Sequence, residues 1–160
     1  MENVPLSNRT SAPAWEVKLS SLHGNGLFAR IQIAEGCSIL EYTGEIVDQS
    51  KVHQKKGEPL YYLSIDSERV IDGNNADNPA RFANHSCDPN CSFEEKDGQL
   101  YIVAEKDIAA GEEITVDYGW GMEGLLQQRC NCGAKECIGY IVSEPYRPEA
   151  LRFLRRVRRR

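Results

Sequence analysis

Three cysteines fall within eight residues near the carboxyl end, in Cys130-Asn131-Cys132-Gly133-Ala134-Lys135-Glu136-Cys137, and no other feature restricts the fold of this 160-residue chain so strongly. Thiols this close, with Gly133 permitting a tight turn, suit a soft tetrahedral cation, of which zinc is the usual one. The cluster is one ligand short of a closed site. Cys87 and Cys91 are the nearest candidates, and either would draw a segment roughly forty residues away against the cluster. A closed four-thiolate site leaves no position for water or substrate, so its role is structural. Six cysteines would also make three disulfides, but Met1 to Pro13 is polar and lacks the basic-then-apolar pattern of a secretory signal. Cys37 reads as a small buried hydrophobe.

With 41% hydrophobic and 27% charged residues, the composition is that of one folded domain. No run of about 18 apolar residues is present, so no membrane-spanning helix is expected. Charge is divided unevenly. Arg147 to Arg160 holds seven arginines against Glu149, a net +6; the whole chain is at −5, so the other 146 residues carry −11. An acidic body favours cationic partners such as lysine- or arginine-rich peptides. The arginine tail suits nucleic acid or nuclear import; it also suits a solvated, fraying terminus.

Period-two patterning dominates. Trp15, Val17 and Leu19 alternate with polar residues, as in a half-buried strand. Ser38 to Val47 reads as a longer strand kinked by Gly44, and Tyr61 to Ile65 and Val70-Ile71 as two short ones. Asp48 to Pro59 is polar, with room for one short helix before Gly57. Lys96-Asp97-Gly98 separates two apolar runs, a hairpin signal. Only Pro148 to Arg158 reads as helix, with Leu151, Leu154 and Val157 at near-helical spacing. The class is mostly β, built from many short strands.

Two further segments carry chemistry. Arg81-Phe82-Ala83-Asn84-His85-Ser86-Cys87-Asp88-Pro89-Asn90-Cys91 packs amides, an imidazole and two thiols beside a proline turn, and Gly111-Glu112-Glu113-Ile114-Thr115-Val116-Asp117-Tyr118-Gly119 follows the hairpin. With the cysteine cluster, the Gly24-Asn25-Gly26 turn and Glu41-Tyr42-Thr43-Gly44-Glu45, all in order, these motifs closely resemble the SET-domain family of protein-lysine methyltransferases followed by a post-SET zinc module. The resemblance covers roughly Trp15 to Tyr140.

It implies small curved sheets around a knot-like crossing, with the Tyr118 segment passing through the loop holding Asn84 to Cys91. It implies a tail over 1–14, a SET domain over 15–125 with a short insert near 48–60, a post-SET module over 126–142, and a basic tail or helix over 143–160. The reaction implied moves a methyl group from S-adenosylmethionine to a lysine ε-amine. The family's fourth structural zinc ligand corresponds to Cys87, completing a set with Cys130, Cys132 and Cys137 and leaving Cys91 over. The resemblance assigns cofactor contacts to His23, Gly24, Asn25, Gly26, Tyr62, Arg81, Asn84, His85 and Tyr118. Tyr118 is the catalytic tyrosine and Tyr42 a second channel wall. His85 stands open between cofactor contact and structural hydrogen bonding.

The chain departs from the family in three places. Asn25 replaces a common Trp in the glycine turn. Ser64 stands where an aromatic channel residue is common, and Val116 where Phe or Tyr usually precedes the catalytic tyrosine by two. Without a hydroxyl at 116, di- or trimethylation is sterically permitted, unless Trp120 fills the vacancy. The expected substrate is a lysine-containing basic protein such as a histone tail; a ribosomal or other non-histone protein fits the same charge. The rival is a noncatalytic, zinc-stabilised peptide-binding module of the same descent. The expected location is intracellular: nucleus or chromosome in a eukaryote or targeted host, cytoplasm in a bacterium.

Overall fold

The structure is a computed structural model that describes residues 12–52 and 61–158. Most of the expected tail over 1–14, and residues 53–60 of the insert, lie outside the described residues. So does most of the stretch expected to hold a short helix; a 3-10 turn at Gln49–Lys51 stands at its start, and the Asp48 side chain accepts from Ser50 N at 2.8 Å.

Ten short strands form three small sheets. The first has the order β1 (Trp15–Leu19), β2 (Asn25–Ala29), β10 (Glu113–Val116), β7 (Asn84–His85). The second places β9 (Gln99–Ala104) between β3 (Ser38–Glu41) and β8 (Cys91–Lys96), and the third places β6 (Arg69–Asp72) between β4 (Glu45–Asp48) and β5 (Tyr62–Ser64). The β8–β9 hairpin turns through Asp97 (φ 54°) and Gly98 (φ 80°). Successive left-handed residues match the twist of the flanking strands, as the Asp-Gly pair anticipates.

Two strand expectations change. β1 pairs with β2 alone, so it is an edge, and its alternating apolar residues do not share a buried face: Leu19 is 83% exposed. The stretch from Ser38 to Val47 divides into two strands of different sheets. The division falls at Thr43, whose N–H donates to Asn78 Oδ1 and whose hydroxyl donates to Asp77 O. A backbone group satisfied by a side chain cannot extend a ladder.

The main core gathers Leu27, Ile33, Ile102, Ile108 and Ile114, none of them exposed. Each contributes about 1.5–3 kcal/mol by leaving water. A second core joins Leu125, Tyr140 and Val142 to Ala150 and Leu154 of α1 (Arg147–Val157), the one α-helix among the described residues. The expected helix is present, but of Leu151, Leu154 and Val157 only Leu154 docks; its partner one turn away is Ala150, and Leu151 and Val157 are exposed.

Segment 84–91 and β10 come together where the resemblance implies a crossing. β10 runs parallel to β7, pairing Thr115 with Asn84 and Val116 with His85. Beyond β7, buried Asn90 donates to Glu113 O at 2.8 Å and accepts from Thr115 N at 2.8 Å. Segment 84–91 thus holds β10 at two points, and distant motifs meet around it.

Candidate active site

Asn84 is the hub. Its Nδ2 donates to His23 O and Asn25 O, both at 3.1 Å, and lies 2.7 Å from Glu113 Oε1. Ser20 Oγ donates to the other Glu113 oxygen at 2.8 Å. The carboxylate also lies against Gly26, where a side chain would collide with it and with the Phe28 ring. One acid therefore ties the end of β1, the β2 turn and β7 together, and glycine is required for that approach. Glu113 belongs to a motif read from the sequence, but its contact across 29 residues to Asn84 had no signal there. Three acceptors surround the amide nitrogen, and Oδ1, on the other side of the amide, has no hydrogen bond shown among the described residues.

His85 accepts the Tyr118 N–H at Nδ1, 3.2 Å, and its Nε2 lies 3.5 Å from Cys87 Sγ. Burial holds its pKa down, against the pull of Asp117 and with the help of Arg147. With Nδ1 already an acceptor, the ring is neutral, and Asp117 at 3.7 Å is a neighbour without an ion pair. These contacts favour the structural side of the two readings left open for His85.

The Tyr118 ring lies 5.4 Å from His85 and 5.2 Å from Trp120, and its hydroxyl donates to Ala83 O at 3.2 Å. Burial pushes its pKa up to about 12. Buried Tyr42 donates to Tyr61 O at 2.8 Å, and burial raises its pKa as well. Phe93 of β8 meets the Tyr42 ring edge-on at 5.8 Å. The sequence reading missed Phe93; its only signal was an aromatic on the strand following the Pro89-Asn90 turn.

Arg81 lies over the rings of Tyr61 at 5.2 Å and Phe82 at 4.8 Å, and its buried Nε has no partner among the described residues. Tyr62 instead pairs with Asp72 across β5 and β6, and Ser64 is exposed. Alternation along the strand sends Tyr61 and Leu63 to one face, Tyr62 and Ser64 to the other. The structure thus groups Tyr42 and Arg81 around Tyr61, groups His85, Tyr118 and Trp120 together, ties Asn84 to His23 and Asn25, and leaves Tyr62 and Ser64 aside. Val116, 1% exposed, is packed in the core behind them.

The sulfurs of Cys87, Cys130, Cys132 and Cys137 lie within 4.8 Å of one another, Cys87 and Cys130 at 3.9 Å. Four sulfurs around one zinc, each at about 2.3 Å, are spaced about 3.8 Å apart, so the set fits. Burial would raise the Cys132 thiol, but N–H groups of Cys87 and Ala134, with the adjacent thiols, bring it down to about 7. Such donors favour thiolate. Cys91 is not in the set. It sits in the main core, pushed up to about 12 by burial. Cys37, half-buried, packs against the same core. From α1, Arg147 Nη2 donates to Cys87 O at 2.7 Å.

The family description "SET domain" matches residues 24–119. Human histone-lysine N-methyltransferase 2B is 38% identical over 144 residues, which are 83% of this chain and 5% of that protein. The putative histone-lysine N-methyltransferase 1 of Plasmodium falciparum is 36% identical over 84% of this chain and 2% of its own length. The chain therefore spans a small fraction of these relatives. The crystal structure of KRYPTONITE with mCHH DNA, H3(1-15) peptide and SAH is similar over 79% of this chain and 29% of that one, with a TM-score of 0.67 and 29% identity. KRYPTONITE with mCHG DNA and SAH gives 0.68 and 27%.

Proposed function

This chain belongs to the SET-domain family, and on that premise we propose that it methylates a lysine ε-amine in a basic protein such as a histone tail, with S-adenosylmethionine as donor. The observation that carries the reading is the parallel pairing of β7 with β10, which brings Asn84, His85 and Tyr118 together from separate motifs. The relatives named as histone-lysine methyltransferases support the reaction class. The −11 carried by residues 1–146 supports a cationic substrate.

Two atoms suit the donor's zwitterionic amino-acid end: buried Arg81 Nε, without a partner among the described residues, for its carboxylate, and Asn84 Oδ1 for its ammonium. When bound, the sulfonium supplies an electrophilic methyl group that a neutral amine attacks in line. This chain's residues align and dry that path. The ring pairs Tyr42–Phe93 and Tyr118–Trp120 are suited to wall the proposed lysine channel, and such a channel disfavours a charged lysine, whose ordinary pKa is about 10.4. Tyr118, held protonated, orients the amine through its oxygen and is too weak an acid to serve as base. The cysteine set would hold zinc as a fastening with no part in the chemistry. We place the catalytic body at 15–125, the zinc module at 126–142 and the basic helix beyond 143. Nuclear residence follows if the cell is eukaryotic. The noncatalytic alternative rests on missing aromatics at 64 and 116; against it stand Asn84, His85 and Tyr118, all retained.

Radiolabelled methyl transfer to mixed histones and ribosomal proteins tests the proposal. Transfer is expected, with at least about a tenfold loss in Tyr118→Phe, the scale of one lost polar contact. No calorimetric affinity for S-adenosylmethionine would overturn it.

A further inference from the structure

We infer that the outer face of α1 is a docking surface for the phosphate backbone of double-stranded nucleic acid. At 100° per residue, Arg152, Arg155 and Arg156 occupy one arc of about 100°, opposite buried Ala150 and Leu154. All three are exposed, and none makes an ion pair among the described residues, although the rest of the chain is strongly acidic. Neighbours at three and four residues stand about 5–6 Å apart, a spacing that lets adjacent guanidinium groups take successive phosphates. Favourable interaction with the helix dipole accounts for arginines in the last turn, but Arg152 lies ahead of it.

The occupant is chosen by what α1 does with its apolar side. A helix that enters lipid needs that side free. Here Ala150 and Leu154 are committed to the second core, and Phe153 lines a shallow pocket with Met122, Leu125 and Leu126. Leu151, Phe153 and Val157 are partly exposed, but they stand on opposite flanks of the helix and form no single apolar face, and the arc between them that points away from the core carries the three guanidinium groups. The acidic body repels phosphate, so contact is confined to α1, and it turns the body away from the duplex toward cationic protein. Arg147 fixes this orientation by anchoring the helix start to Cys87 O.

The test is fluorescence anisotropy of the full, metal-loaded chain with a short mixed-sequence DNA duplex. Three phosphate contacts give a logarithmic slope near −2.7, so affinity is expected to fall about 40-fold between roughly 50 and 200 mM salt. R152E/R155E/R156E is expected to lose that slope while keeping its circular dichroism and its rate on a short peptide. R152K/R155K/R156K is expected to retain the slope. The inference is overturned if the parent shows no salt-dependent duplex binding, if the charge-reversed variant binds as tightly, or if anionic vesicles are bound and the duplex is not. Binding is read without turnover, so this outcome is separate from the fate of the methyl-transfer reading.

Discussion

Phe93 reaches Tyr42 from β8, while Val116 presents only an isopropyl group from β10. In the proposed lysine channel, a bare ring leaves room for a methylated amine, whereas a hydroxyl at the same place would hold water and limit the product. Mass spectrometry of a peptide substrate at long times should therefore show di- or trimethyl product for the parent chain and a shift toward monomethyl for Phe93→Tyr. Strictly monomethyl product from the parent, or an unchanged distribution in the variant, would refute this role. The Val116 departure was plain in the sequence, but the meeting of Phe93 with Tyr42 was not, because about fifty residues separate them and only the pairing of their sheet brings them together. Likewise, sequence position cannot say which of Tyr61 and Tyr62 faces Arg81. That depends on the register of β5 against β6.

At the scale of elements, legibility followed locality. The β8–β9 hairpin and α1 could be read from a turn pair and from helical spacing, each a property of adjacent residues. The division at Thr43 could not, since Asp77 and Asn78 impose it from more than thirty residues away. The segment from Leu125 to Leu154 is tied to the body through the cysteine set, through Arg147, and through Trp120 O, which accepts from Ser143 N at 2.8 Å. Metal analysis should give about one zinc per chain. Chelation should speed amide exchange across 125–157 and weaken S-adenosylmethionine binding, leaving the β8–β9 hairpin protected. Equal protection with and without chelator would show that the second core stands without its fastening.

For the molecule as a whole, the two-signed charge distribution was legible as arithmetic, and the crossing only through resemblance. Threaded connections are too rare for pattern reasoning to propose. The order β1-β2-β10-β7 has a further consequence for how the protein is born. One of the two inner strands of that sheet, β10, is among the last parts of the body to leave the ribosome, so β2 waits for its neighbour and segment 84–91 lacks its partner. Pairings this distant close slowly. Nascent chains stalled before Ile114 has emerged should be cut readily by protease within residues 15–29, and chains stalled after Gly119 has emerged should resist. Equal resistance in both would mean that β1 and β2 find shelter before the strand that completes them exists.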